Sequence, residues 1–148
     1  MYKNYRGFRE CYKYFSGIDP VASLPAINTL NYTTWVQEGC PGLVDNITLK
    51  LADTDLEFIA TNAGKSSKRN PANYLVRHNI MEVFARIAKT KYLTNAGEAS
   101  TYAEAMQMLI DNYLGEYFKK YGTHEWRLKY FWLLEIDLAF KHGLDTMK

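Results

Sequence analysis

Hydrophobic residues recur at helical spacing along most of the chain, and short polar or Gly- and Pro-containing breaks separate the periodic segments. The first periodic segment covers residues 5–15, where aromatic side chains fall three or four positions apart, and Ser16 with Gly17 is predicted to end it. Two prolines within residues 18–30 predict a loop that closes with a short β-bridge at residues 26–28. The pattern therefore favours helix, loop and helix over a sheet.

The next two helices are predicted from their capping and stop signals. A short second helix is expected to begin near Asn31 and to end in the Gly- and Pro-containing residues 39–42. Asp45 and Asn46 are the expected N-cap of a third helix, which ends near residue 62. Its predicted apolar stripe is Leu49, Ala52, Leu56 and Ile59, and its predicted solvent face carries Asp53, Asp55 and Glu57.

Three further helices complete the predicted fold. The fourth follows a polar linker at residues 65–71 and turns Val76, Ile80, Val83, Phe84 and Ile87 inward. Thr101 and Glu104 form a capping-box pattern that opens the fifth helix, which continues with Met106, Leu109, Ile110 and Tyr113. A sixth helix, marked by Trp126, Tyr130, Leu133 and Leu134, is expected to reach about residue 140. The sequence predicts an all-α protein whose first core contains Phe15, Tyr32, Trp35, Leu56, Ile59, Ile80, Phe84 and Ile87.

Two segments, residues 27–36 and 75–84, align with each other without gaps. Each begins with an aliphatic residue, has Asn at its fifth position with a bulky apolar residue directly after it, and ends on an apolar residue. A match of this kind is an internal repeat. The key matched pairs are Ile27 with Leu75 and Asn31 with Asn79.

This repeat resembles the second half of an EF-hand, in which an aliphatic residue at loop position 8 precedes the ligand position 12 and the exiting helix. The resemblance covers about residues 5–92. It implies two helix–loop–helix units whose loops pair through a short β-bridge between Ile27 and Leu75. Asn31 and Asn79 stand where calcium binding requires a bidentate Glu.

The other ligand positions of both loops also lack the chemistry for calcium. Counted back from the paired aliphatic residues, positions 1, 3 and 5 are Pro20, Ala22 and Leu24 in the first loop and Lys68, Asn70 and Ala72 in the second. Pro25 and Asn73 occupy the glycine position. A hard divalent cation needs six or more oxygens and clustered negative charge. The resemblance thus implies a calcium-incompetent EF-hand-like pair at residues 1–95, with a two-helix C-terminal extension, residues 96–148, packing on it.

A second resemblance points to a cellular setting. Residues 50–62, Asn70-Pro71 and residues 75–77 are similar to large EF-hand-like proteins of ciliates and other flagellated protists. The resemblance implies a structural, protein-binding module of a cilium or other cytoskeletal assembly in the cytoplasm. Because Leu144 and Met147 continue the apolar spacing without a stop signal, the chain is expected to be one lobe of something longer.

Composition and motifs narrow the function classes. The formal net charge of +2 gives no support for nucleic-acid binding, and no run of about eighteen apolar residues predicts a membrane span. Cys11 and Cys40 are expected to be reduced thiols of a cytosolic protein. The three histidines, His78, His124 and His142, lack the spacing that brings metal ligands together, and no nucleophile-elbow, P-loop or dinucleotide motif occurs.

The sequence therefore predicts no catalytic residue, no metal site and no cofactor, and it favours a non-enzymatic interaction module. Two alternatives stay open: a calcium-type regulatory sensor with unconventional ligands, and an unrecognised enzyme or small-molecule binder. A calcium titration separates the first from the module, and a deep polar pocket would favour the second.

The candidate binding residues are basic. Lys65, Lys68 and Arg69 lie in the linker that replaces the second ion-binding loop, and Lys119 with Lys120 forms a possible second patch. Positive charge without a carboxylate attracts acidic surfaces, so the expected partner is a protein such as tubulin or another acidic assembly component. The alternative interpretation of the linker is a solvated connector.

Overall fold

A computed structural model describes residues 2–18, 25–64 and 70–144 of the chain. Of these residues 71% are helical, which confirms the mainly helical class predicted from the sequence. A 3₁₀ turn at Tyr2–Asn4 precedes the first helix. The α-helices are α1 (Tyr5–Ile18), α2 (Thr29–Gln37), α3 (Leu51–Thr61), α4 (Arg77–Ala88), α5 (Tyr102–Leu109), α6 (Gly115–Lys120), α7 (Thr123–Trp126) and α8 (Leu134–Gly143).

Wider π-helical turns extend three of these helices. They follow α4, α5 and α7 and cover Lys89–Asn95, Ile110–Leu114 and Arg127–Phe131. Two short strands, β1 (Ile27–Asn28) and β2 (Tyr74–Leu75), form an antiparallel two-stranded sheet. None of the described helices is long and apolar enough to cross a membrane.

The centre of the core is an aromatic cluster shared by α1, α2 and α4. Phe15 stacks on Trp35 with ring centroids 5.0 Å apart, and Trp35 meets Phe84 at 4.9 Å. Phe8 then contacts Phe84 at 5.7 Å. All four side chains are at most 2% exposed. Large rings packed at these distances provide the main apolar burial that holds the three helices together.

The helices α5 and α6 cover this cluster from one side. Leu109, Leu114 and Tyr117 are buried, and the Phe118 ring meets Phe8 edge-on at 4.7 Å. The Phe118 ring fills the space that a Cβ atom on Gly7 would need. Glycine at this position therefore lets α1 and α6 approach each other closely.

The ends of the first two helices differ from the prediction. The first helix continues through Ser16 and Gly17 to Ile18, since Ser16 stays within the helix and its hydroxyl donates to the Lys13 carbonyl at 3.4 Å. The second helix begins before Asn31. Its cap is Asn28, whose side chain accepts a hydrogen bond from the Asn31 backbone N–H at 2.8 Å.

The start of the third helix was also predicted wrongly. Asp45 does not cap it; its Oδ1 atom accepts the backbone N–H groups of Thr48 and Leu49 at 2.7 and 2.9 Å and folds a loop. The helix begins at Leu51, and its N-cap residue is Lys50. The backbone N–H of Lys50 donates to the Asp53 carboxylate at 2.8 Å.

The apolar stripe predicted for α3 is wrong in phase. Leu56 and Ile59, predicted as core residues, are each 62% exposed, whereas Thr54 and Phe58 are buried. Phe58 packs against Tyr32 at 5.0 Å, and the Tyr32 hydroxyl donates to the Thr54 carbonyl at 2.9 Å. These contacts turn the Thr54 and Phe58 side of the helix toward α2. Glu57 was predicted to face solvent, but its carboxylate accepts a hydrogen bond from the Thr90 hydroxyl at 2.6 Å.

The fourth and fifth predicted helices have the expected inner faces. All five inward residues of the fourth are buried, and Met106, Leu109 and Ile110 of the fifth are buried with Tyr113 partly covered. The sixth predicted helix is instead α7 and its π-helical turn, then a break at Trp132 and Leu133, then α8. The apolar spacing there is helical, but no described part of the chain covers it.

Candidate functional site

The two loops meet through the small sheet. Ile27 pairs with Leu75 and Asn28 with Tyr74 in antiparallel register, and Ile27 and Leu75 are both fully buried. This is the pairing that the resemblance to an EF-hand pair implies. Hydrogen bonding across the strands fixes the two helix–loop–helix units relative to each other.

The two asparagines of the repeat are buried beside this sheet. Asn31 is 7% exposed, and its side-chain amide donates to the Phe15 carbonyl at 3.4 Å. Asn79 is 3% exposed, and its amide donates to the side-chain oxygen of Asn70 at 3.3 Å. Each amide thus ties the start of a helix to the chain segment that precedes it. At both positions a neutral amide, and not a bound ion, links the helix to the preceding segment.

Backbone geometry at the second loop matches a sharp turn. Asn73, at the position that the resemblance assigns to glycine, has a φ of +65°. Few residues with a Cβ atom adopt this left-handed conformation, and Asn is among the most tolerant of them. Within residues 2–18, 25–64 and 70–144, no three His, Cys, Asp or Glu side chains come together as metal ligands. Pro20, Ala22, Leu24 and Lys68 lie outside the described residues.

A buried ion pair, not found from the sequence, joins the loop after α2 to the π-helical turn after α4. The ammonium of Lys91 donates to Asp45 at 2.6 Å, Thr48 Oγ1 at 2.9 Å and the Leu43 carbonyl at 3.0 Å. Lys91 is 4% exposed. Because the ammonium contacts all three acceptors, Lys91 cross-links the two segments.

The groups around Asp45 favour the charged form of its side chain. Burial alone would raise the pKa of Asp45. The Lys91 ammonium, the Thr48 hydroxyl and the backbone N–H groups of Leu49 and Ile47 outweigh burial and hold the pKa well below its usual range.

The cysteines and histidines form no reactive group. Cys11 and Cys40 are free and buried, and burial raises the pKa of each thiol to about 12. A thiol that stays protonated is a poor nucleophile and a poor metal ligand. His78, His124 and His142 lie at separate places, at the starts of α4 and α7 and near the end of α8.

A polar cleft of about 360 Å³ lies between the start of α1 and the region of α6 and α7. Its basic lining residues are Lys3, Arg6, Lys119 and His124, and its acidic ones are Glu10 and Glu125. Glu10 is paired with Arg9 at 2.9 Å and with Lys13 at 3.3 Å. Burial raises the pKa of the Glu10 carboxyl, but these two cations outweigh it and lower that pKa overall.

The predicted basic residues fall into two groups. Lys65, Lys68 and Arg69 lie outside the described residues. Lys119 and Lys120 end α6; Lys119 pairs with the exposed Glu116 at 2.5 Å and also lines the polar cleft. The Lys120 ammonium lies over the rings of Tyr117 and Tyr121, 5.9 and 5.6 Å from their centroids.

The segment Thr123–Leu144, here called the aromatic segment, is a surface that the sequence did not predict. No residue in it is buried. Seven of its residues surround an apolar groove of about 420 Å³ between the π-helical turn and α8. Large exposed apolar patches on monomeric proteins are typical of interaction sites. Its exposed large side chains are Trp126, Leu128, Tyr130, Phe131, Trp132, Leu133, Leu134, Leu138, Phe140 and Leu144.

No protein-family model matches the chain, and comparisons with curated proteins and with solved structures find no match either.

Proposed function

We propose that this chain is a non-enzymatic protein-interaction module of a ciliary or other cytoskeletal assembly. The observation that carries the proposal is the aromatic segment, in which Trp126 and Trp132 are each 55% exposed. Trp and Tyr dominate the energetics of protein interfaces because each buries a large area at low entropic cost. Cations lie among these rings, with Lys129 5.1 Å from the Tyr130 centroid. A largely apolar partner surface complements these rings, since the basic and acidic residues of the segment are equal in number.

We further propose that the first part of the chain is a degenerate EF-hand-like pair that does not use calcium. Three features support this interpretation: the Ile27–Leu75 pairing, the left-handed Asn73, and the buried amides of Asn31 and Asn79. In a calcium-binding pair the ion joins the loop to the exiting helix. Here the Asn79 amide bonds to Asn70 of the loop, and the Asn31 amide bonds to Phe15 of the preceding helix.

The proposed partner is an acidic assembly component such as tubulin. The test is co-sedimentation of the full chain with microtubules, using wild type and the double variant Trp126→Ser/Trp132→Ser. Loss of two interface aromatics should weaken binding at least about tenfold, because such residues are typical hot spots. Ile47→Ser is the matched control, since Ile47 is 85% exposed and lies outside the aromatic segment.

Two outcomes would count against this proposal. Equal sedimentation of the double variant and wild type would remove the aromatic segment from the interface. Equal sedimentation with microtubules whose acidic tails have been removed would show that negative charge on the partner is not recognised.

A further inference from the structure

The polar cleft between α1 and α6–α7 is a separate surface from the aromatic groove. Its two walls are held at close approach, since Phe118 packs against Phe8 and against the backbone at Gly7. The cleft is thus a feature of the packed helices. We infer that it binds the carboxylate side chains of an acidic peptide segment, an inference that rests on the proposed interaction function and names a second contact for the partner.

Charge is the first argument for a carboxylate ligand. Lys3 and Arg6 are exposed at the cleft and have no carboxylate partner among the described residues. The carboxylate of Glu10 already has two cations, so Glu125 is the lining acid without a described ion-pair partner. A guanidinium and an ammonium in one cleft match a carboxylate by charge-assisted hydrogen bonds, and Arg can do so through two parallel bonds.

Shape is the second argument. Three glycines, Gly7, Gly115 and Gly122, line the cleft, and each lies close to protein atoms of a neighbouring turn or helix, so the walls of the cleft are closely packed. A volume of about 360 Å³ is at the small end of ligand sites, which span roughly 300–1,000 Å³. The cleft therefore suits an extended peptide that inserts its acidic side chains.

The same features disfavour nucleic acid as the occupant. A protein that binds a polynucleotide neutralises several successive phosphates with a stripe of Lys and Arg. The net charge here is only +2, and the cleft combines its cations with Glu10 and Glu125 instead of forming such a stripe. A peptide can place one or two carboxylates beside Arg6 and Lys3 and leave Glu125 facing solvent.

Fluorescence anisotropy with a labelled peptide of alternating Glu and Gly residues tests the inference on the full chain. The matched peptide of Gln and Gly should bind at least about tenfold more weakly, since it has the same length and no charge. Arg6→Glu and Lys119→Glu should each weaken binding of the Glu peptide about tenfold. Lys89→Glu, an exposed charge reversal outside the cleft, is the control and should leave the affinity unchanged.

Amide resonances locate the ligand independently of any variant. On addition of the Glu peptide, the amides of Gly7, Gly115 and Gly122 should shift in a ¹H–¹⁵N spectrum, because all three line the cleft. Gly97, in the turn after α4 and outside the cleft lining, should not shift. Shifts at Gly97 with none at the three cleft glycines would overturn the assignment even if the peptide binds.

The outcomes separate this inference from the proposed function. If the Glu peptide binds wild type and both cleft variants equally, the cleft is not the site, although recognition of an acidic partner stands. If the peptide does not bind while Trp126→Ser/Trp132→Ser still loses microtubule binding, the cleft inference fails alone. A single-stranded oligonucleotide or inorganic phosphate that displaces the Glu peptide at matched ionic strength with higher affinity would also overturn it.

Discussion

The packed helices up to α6 and the aromatic segment after them contain the same kinds of residue in opposite surroundings. Trp35 and Phe84 are fully buried, whereas Trp126 is 55% and Phe140 is 48% exposed. Both regions have aromatics at helical spacing. The comparison shows that the spacing predicts a helix with an apolar face, and that a neighbouring element must be present before that face becomes a core.

The difference arises from what lies opposite each face. Trp35 has Phe15 on one side and Phe84 on another, because the paired loops hold α2 and α4 against α1. The aromatic segment packs mainly on itself, with Trp126 6.1 Å from Phe131 and Phe131 6.1 Å from Phe140. These contacts shape a groove without closing it.

The largest expected effect is the loss of a core ring. Phe84→Ala should lower the free energy of unfolding by about 3–5 kcal/mol, because it removes a fully buried ring that contacts Phe8 and Trp35. Phe140→Ala, the same change on the aromatic segment, should alter it by less than about 0.5 kcal/mol. Urea unfolding of both variants measures the difference, and equal losses would abolish the distinction between the two regions.

The next effect comes from the buried ion pair. Lys91→Met should lower the free energy of unfolding by about 2 kcal/mol, because it removes a charged hydrogen bond to Asp45, which is 29% exposed and keeps its other donors. The pH dependence gives a second readout. The pKa of Asp45 is lower in the folded state than the roughly 3.9 of an unfolded Asp, so the unfolded state binds more protons and stability falls as pH falls below about 5.

Lys91→Met should make that acid-side fall shallower, since it removes the strongest stabilisation of the charged carboxylate. Thermal unfolding of wild type and variant between about pH 3 and pH 7 measures the slopes. Parallel curves would show that Lys91 does not set the pKa of Asp45.

A smaller effect is expected at the cap of α2. Asn28→Ala should cost about 1 kcal/mol, because the side chain accepts the Asn31 backbone N–H at 2.8 Å. Gln37→Ala at the exposed other end of the same helix is the control and should be nearly neutral. If both changes cost the same in a urea titration, Asn28 is not the functional cap.

The smallest expected effect is that of calcium. Titration with calcium should release no heat of binding, because neutral amides, Asn31 and Asn79, occupy the positions where the ion needs a carboxylate. Tryptophan emission should stay unchanged, since Trp35 is buried between Phe15 and Phe84. A saturable heat signal with a rise in melting temperature would instead favour a sensor with unconventional ligands.

Sequence reasoning succeeded for the inner faces of the fourth and fifth predicted helices and for the paired positions of the repeat. The resemblance of the repeat to an EF-hand pair implies that Ile27 and Leu75 pair, and the antiparallel register of β1 and β2 contains this pair. It failed for α3, where the period was right but the phase was wrong. The face of that helix is set by the contact between Tyr32 and Phe58, which no local pattern contains.

Long-range polar contacts were equally invisible. Lys91 reads as a surface lysine, yet it is buried against Asp45 from a distant loop. The cleft around Lys3, Arg6 and Lys119 joins the two ends of the packed region, so it too depends on tertiary structure. The exposure of the aromatic segment could not be predicted, because its apolar residues have the same spacing as those of a helix that packs in a core.

Amide hydrogen exchange of the full chain, alone and with assembled microtubules, shows directly whether the aromatic segment is an interface. We expect α2 and α4 to be protected in the free chain and the aromatic segment to gain protection when microtubules are added. Protection of the aromatic segment in the free chain that does not change on adding microtubules would contradict the claim that this surface awaits a partner.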